Sequence, residues 1–340
     1  MNPILRLLVV ATVSLTAIPA GAHGPGAGND FEGRRVLFIG VDGCRADALR
    51  KAVEKGQAPN FQSLIREGTV SWNGFAGGDP DTGTEQQTMS GPGWTTIFTG
   101  VWRDKHGVAD NRFLYNRIAQ WPHFMRRLRE SVPTAWTASL CDWPEIHKFI
   151  VGESRAGARD FINFEFLASP DPALKGRDYA ARDAELTARA VEHLKVANPD
   201  VISVYLGQVD EVGHAVADTA GRFSPENEPY LAAIAQVDRH LGELLAAVRA
   251  REQFAQENWL VLATTDHGGR GTSHGGQSPE ERTIWMIATG GKAQRGAVEN
   301  QAVAQTAIPA TIFAHLGVPA KPEWGWNTRP FALPAPIETQ

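Results

Sequence analysis

Seven residues able to bind a metal ion or attack an electrophile stand at four separated places in this chain. They are Asp42 in Val41-Asp42-Gly43, Ser90 in Thr88-Met89-Ser90-Gly91, Asp210 and His214 in Asp210-Glu211-Val212-Gly213-His214, and Asp266, His267 and His274 around Asp266-His267-Gly268-Gly269. A carboxylate is costly to bury unless it is paired, capping a helix or coordinating an ion. Imidazole mixed with carboxylate suits zinc better than calcium or magnesium, which prefer all-oxygen shells. Manganese and iron are compatible with the same donors. Brought onto one rim, these groups would make a two-metal hydrolase site.

Each piece alone has a plainer reading. Asp-Gly after a strand is ordinary turn chemistry. Ser90-Gly91-Pro92 also signals a helix start, with Ser90 as its N-cap. A lone histidine is usually a core or capping residue, and His23, His106, His123, His147, His193, His240 and His315 read that way. What joins the seven is position. Asp42, Asp210 and Asp266 follow the apolar runs Val36–Val41, Val201–Leu206 and Trp259–Thr265. These read as buried strands, and in an open α/β sheet ligands bind outside the carboxyl ends of the strands. Asp210 and His214, four apart, share a face if a helical turn begins there. Gly268 and Gly269 permit the sharp turn that lets adjacent Asp266 and His267 serve one ion. Small residues around Ser90 leave room for a substrate and let backbone N–H groups approach an anion.

The elements that must position these groups alternate along the chain. Further strands read at Ala135–Leu140 and Ile284–Thr289. Helices read from Pro59 to a stop at Gly68, from Tyr179 to Val196, from Pro229 to Glu252 and over Ile308–Leu316. The alternation predicts an α/β fold with a mostly parallel central sheet and helices on both faces. No repeat or compositional break divides residues 23–340, so a single domain is expected. Substrate-facing insertions are expected around 103–177, a span rich in Trp, Phe and Pro.

Residues 1–22 have the charged start, short apolar stretch and Ala20-Gly21-Ala22 ending of a secretory signal peptide. The expectation is an exported, periplasmic or secreted protein without membrane insertion, because that stretch is too short to span a bilayer. The formal net charge of −5 argues against binding a nucleic-acid polymer, which calls for clustered Lys and Arg. Metal ions can still reverse the sign locally for an anionic substrate. Cys44 and Cys141 each follow a strand, and a bridge between them is possible in an oxidising compartment. Asp79-Pro80-Asp81-Thr82-Gly83 has the start of a calcium loop but no matching downstream Glu, so it reads as a solvated turn. Oligomeric state leaves no trace in the sequence.

Taken in order, the motifs resemble the alkaline phosphatase superfamily and, within it, the type I phosphodiesterase/nucleotide pyrophosphatase family. Val41-Asp42-Gly43 comes first, then Ser90 nine residues before Thr99-Gly100, then His106-Gly107-Val108-Ala109-Asp110-Asn111. Asp210-x-x-x-His214, Asp266-His267-Gly268 and His274-Gly275 complete a likeness running from about Val36 to Pro319. The resemblance implies two zinc ions, one held by Asp42, Ser90, Asp266 and His267, the other by Asp210, His214 and His274. It implies that Ser90 Oγ attacks phosphorus to give a phosphoseryl intermediate. The implied substrate is a small phosphate ester, a phosphodiester or nucleotide pyrophosphate first. A phosphomonoesterase or a phosphonoacetate-type hydrolase are the alternatives on the same core.

Two departures accompany the likeness. Many relatives follow the nucleophile with Phe-Pro-Asn-His, whose Asn helps hold a phosphoryl oxygen. Gly93 takes that place here, leaving the contact to backbone, Asn111 or Arg45. Sulfatases of the same fold need Cys/Ser-x-Pro-x-Arg, and Trp94 replaces the Arg, which argues against that activity. Trp94, Trp102, Phe113, Tyr115 and Trp143 offer faces for a base or aryl group, or else pack a core. A non-catalytic binding protein is disfavoured, since every expected ligand position keeps a competent ligand.

Overall fold

The computed structural model describes residues 31–152, 161–169, 178–215 and 220–333. The signal-peptide segment 1–22 and His23 lie outside the described residues, as do 153–160 and 170–177 of the expected insertion region. One sheet is built from β1 (Arg34–Val41), β2 (Gly68–Phe75), β3 (Thr137–Cys141), β4 (Phe164–Leu167), β5 (Val201–Leu206), β6 (Asn258–Thr264), β7 (Thr283–Gly290), β8 (Ala297–Glu299) and β9 (Val303–Ala304). Its order is β4-β3-β5-β1-β6-β7-β2-β8, with β9 also on β2. Only the β7 pairings are antiparallel. The helices are α1 (Ala46–Glu54), α2 (Pro59–Glu67), α3 (Ser90–Thr99), α4 (Arg103–His106), α5 (Phe124–Ser131), α6 (Tyr179–Val196), α7 (Gln208–Gly213), α8 (Glu228–Arg249), α9 (Pro279–Arg282) and α10 (Ala307–Leu316).

Successive side chains of a strand point to opposite faces, so a centrally placed parallel strand must be apolar throughout. In β1, Leu37, Ile39 and Val41 enter a core shared with α1, α2, α6 and α8. Val36 and Phe38 enter the opposite core, with α3, α5 and α10. Expected and observed bounds coincide for β5 and α6 and differ by one to three residues elsewhere, most at the end of α8, which stops at Arg249 rather than Glu252. Gly68 does end α2, but in an extended conformation (φ −139°) that opens β2. β2 lacks a sequence signal because a register shift between Ser71 and Gly74 breaks its alternation. α3 does begin at the Ser90-Gly91-Pro92 start signal, with Met89 rather than Ser90 as its N-cap, but its body has no helical periodicity because every one of its residues is buried, which erases the polar face that makes a helix legible. The Cys44–Cys141 bridge that the sequence left open does not form: both thiols are free and buried, and they belong to cores on opposite faces of the sheet.

Where β3 and β5 end, two carboxyls are buried side by side. Asp183 of α6 accepts from Gly207 N at 3.1 Å and Gln208 N at 3.4 Å, at the start of α7, and hydrogen-bonds Asp142. Burial above all pushes Asp183 up to about 7 from an ordinary 3.8. Burial, then the charge of Asp183, raises Asp142 as well. A carboxyl raised on folding contributes stability that is full below its unfolded pKa and lost as pH climbs through its folded one. The urea midpoint of the metal-free protein is therefore expected to fall between about pH 4 and about pH 8. Asp142→Asn, which swaps the like charge for an amide donor, should flatten that fall; an unchanged pH slope would contradict the shared-proton account.

Candidate metal centre

Three neighbouring parallel strands, β5, β1 and β6, deliver their carboxyl ends to one rim. Asp42 follows β1 directly, and its N–H donates to Leu206 O at 3.0 Å. Asp266 stands two residues beyond β6, and α7 turns Asp210 inward just past β5. Gly43 is where the three meet. Its φ of +60° is left-handed, and a Cβ there would lie 2.3 Å from Asp210 Oδ1, so only glycine fits. Its N–H donates to Asp266 Oδ1 at 3.2 Å.

Asp42 is held by one oxygen and offers the other. Oδ2 accepts from Trp94 Nε1 at 2.9 Å and from the Tyr205 hydroxyl. Oδ1 faces Ser90 Oγ and His267 Nε2, each at 3.4 Å. Ser90 is the first residue of α3, whose N-cap is Met89, and its Oγ is 3.5 Å from His267 Nε2. Asp266 Oδ2 completes this group at 3.3 Å from the same nitrogen. Beside it, Asp210 presents Oδ2 to His214 Nε2 at 3.4 Å and Oδ1 to His274 Nε2 at 3.5 Å.

The ring nitrogens decide what this cluster can hold. Nδ1 of His267, His214 and His274 meets the carbonyl oxygens of Gly268, Thr272 and Thr88 at 2.7, 2.9 and 2.9 Å. A carbonyl only accepts, so each Nδ1 carries a hydrogen and each ring turns Nε2 toward carboxylate oxygen, free to take an ion or a proton. Lone pairs facing one another in a buried site repel unless a cation or a proton lies between them. Asp210 Oδ1 and Asp266 Oδ2 are buried without any hydrogen-bond partner, a vacancy in hydrogen bonding that a divalent ion satisfies.

Electrostatics agree. Burial, then the charge of Asp210, raises Asp42; burial, then Asp42 and Asp210, puts Asp266 well above the carboxylate range. Burial also acts upward on Asp210, but the His214 hydrogen bond and the nearby imidazoles bring it below its ordinary value. Burial works against a charged His214, yet Asp210 lifts it to about 9. Burial, then His267, depresses His274 to about 3. Ligand atoms of Asp42, Asp266 and His267 lie within 4.8 Å of one another, as do those of Asp210, His267 and His274. His267 thus stands between two loci. His214 is outside the second trio but shares the Asp210 carboxylate with His274. All six expected ligand residues and Ser90 converge, and the imidazole–carboxylate set fits zinc.

Other expected contacts fall elsewhere. Trp94 is wholly buried and braces Asp42, so it offers no face to a substrate. Arg45 gives its guanidinium to Asp47 and to the carbonyls of Phe223 and Gly269, bracing the turn after β6 rather than a phosphoryl oxygen. Asn111 is exposed, and its Oδ1 accepts from Gly91 N at 2.7 Å, next to Ser90. Phe113 stacks on Phe149, and Trp102 on Phe75, as packing. Tyr115 is 93% exposed.

Tyr205 escaped the sequence reading because it sits in an apolar strand; the available signal was a hydroxyl that must find a partner once its strand is buried. Tyr205→Phe should weaken zinc binding about 10-fold or more, as loss of a residue holding a ligand does. Competition with a chromophoric chelator measures it, and parental affinity would remove Tyr205 from the centre.

The sequence profile of the type I phosphodiesterase/nucleotide pyrophosphatase family matches residues 36–280. An uncharacterized pyrophosphatase/phosphodiesterase of Schizosaccharomyces pombe is 25% identical over 301 residues, 83% of this chain and 54% of the relative. The chain therefore spans about half the length of that relative. Among solved structures, the phosphonate monoester hydrolase of Silicibacter pomeroyi is similar with TM-score 0.61 at 16% identity, covering 88% of this chain and 76% of that one. A 2-O GAG sulfatase gives TM-score 0.63 at 13% identity, covering 88% and 73%. At such identities these structures establish the alkaline-phosphatase-like fold alone. Profile and rim geometry together carry the assignment: the chain belongs to the type I phosphodiesterase/nucleotide pyrophosphatase family.

Proposed function

We propose that this chain is an exported two-metal phosphoric-ester hydrolase that uses Ser90 as nucleophile on phosphodiesters or nucleotide pyrophosphates. The observation that carries the reading is the placement of Ser90 Oγ against Asp42 Oδ1 and His267 Nε2. Asp42, Asp266 and His267, with Ser90, would hold one ion, and Asp210, His214 and His274 the other. Bound zinc would supply Lewis-acid charge at the nucleophile and at the leaving oxygen.

The chain's own groups do the rest. Asp42 Oδ1 accepts the Ser90 hydroxyl hydrogen and so points a lone pair of Oγ outward for attack on phosphorus. Ser90 opens the ten-residue helix α3, whose N-terminus favours the anionic phosphoserine that results. Because Asn111 Oδ1 is taken by Gly91 N, its amide N–H groups are left to face a phosphoryl oxygen, the contact that Gly93 does not supply. Four of the five Arg45 guanidinium N–H groups are engaged with Asp47, Phe223 O and Gly269 O, so it is held away from the second charge of a monoester. That favours the diester.

Zinc-loaded protein should hydrolyse bis-p-nitrophenyl phosphate with higher kcat/KM than p-nitrophenyl phosphate; the reverse order would move it among phosphomonoesterases. Ser90→Ala should lose turnover by about a thousandfold or more while keeping two zinc ions. His274→Ala should lose about one zinc and most activity. Unchanged metal content there would place the third ligand of that ion elsewhere.

A further inference from the structure

Metal ligands on exposed loops need an anchor, and His274 is such a ligand. Residues 271–273, 276 and 277 around it are exposed, and the loop follows two glycines. Three of its bonds inward run to one buried residue, Thr88, 186 residues away in sequence. Thr88 Oγ1 donates to Gly276 O at 2.7 Å and accepts from Gly275 N at 3.2 Å. The Thr88 carbonyl accepts from His274 Nδ1 at 2.9 Å. Three consecutive loop residues are thus fastened to one residue. Gln277 Nε2 adds a bond to Gln86 O at 2.7 Å, and Glu281 Oε1 takes Gly276 N from the far side at 2.7 Å.

Thr88 also lies two residues before Ser90, the start of α3. The segment that aims the nucleophile is therefore the segment that fixes the tautomer and place of a ligand in the other ion's group. We propose that Thr88 is a positioning residue that locks His274 Nε2 onto Asp210 and so sets the second ion's place relative to Ser90 Oγ. This rests on the two-metal reading above. Deleting Oγ1 leaves the backbone bond to His274 and the Glu281 bond to Gly276 N but releases Gly275 N and Gly276 O, so the turn at His274 can shift the imidazole away from Asp210. An ion displaced there stabilises the departing oxygen less, and poor leaving groups depend on that most.

The experiment is zinc titration of the metal-free full chain, comparing the parent, isosteric Thr88→Val and hydroxyl-retaining Thr88→Ser. The parent is expected to bind two ions. Thr88→Val should weaken one by about 10- to 100-fold and leave the other unchanged, with Thr88→Ser near the parent. On aryl phosphodiesters, Thr88→Val should lose more kcat/KM with phenol than with p-nitrophenol as leaving group. Equal weakening of both ions, or equal loss on both leaving groups, would reduce Thr88 to a structural role and overturn the inference. So would two parental affinities in Thr88→Val. Should that variant not fold, a folded Thr88→Ser that has lost one ion overturns it, and one that keeps both supports it. A parent binding fewer than two ions would instead sink the two-metal reading and this inference with it.

Discussion

Three aspartates converge on one rim where water scarcely reaches. Asp42, Asp210 and Asp266 are 1%, 8% and 0% exposed, and like charges so placed cannot all ionise without positive charge among them. Hydrogen bonding relieves them only in part, because Asp210 Oδ1 and Asp266 Oδ2 have no donors. The histidines offset Asp210 but leave Asp42 and Asp266 raised. A protein interior tolerates such an arrangement when cations complete it, and the rest of the architecture is arranged around that requirement.

The sheet and the loops divide the work. Rigid parallel strands β5, β1 and β6 set the carboxylates beside one another, and Gly43 allows the approach that any side chain would block. Helix α3, which begins at Ser90, is pressed against the same rim: a Cβ on Gly93 would lie 2.9 Å from Asp266 Cβ. The position that in many relatives carries a phosphoryl-binding Asn is here a packing contact. Trp94 and Tyr205 pin the far oxygen of Asp42, so the near oxygen is aimed by two buried rings rather than by a flexible chain. Histidines come from turns, where a carbonyl at each Nδ1 fixes ring orientation at little expense in secondary structure.

Much of this was legible in the sequence. Apolar runs that end in Asp are visible because a two-sided parallel strand has no polar residues until it leaves the core, so Val36–Val41 and Val201–Leu206 announced both the sheet and the rim. The Asp210–His214 and Asp266–His267 spacings then named residues that do converge there. What escaped was information held by tertiary contact. Trp94 offered an aromatic face by composition, yet folding turns its N–H onto Asp42. Arg45 offered a cation, yet three partners in the fold consume it. Cys44 and Cys141 shared strand-end context but face opposite sides of one sheet, a parity that a one-residue change in position decides. Thr88 and Tyr205 gave no sign, since a hydroxyl in a sequence does not reveal which carbonyl or carboxylate it will meet.

The most direct test of the account is an anomalous-scattering map at the zinc edge from crystals of zinc-loaded protein. The account predicts two peaks, one bounded by Asp42, Ser90, Asp266 and His267 and one by Asp210, His214 and His274. A single peak, or zinc bound away from the three aspartates, would contradict it.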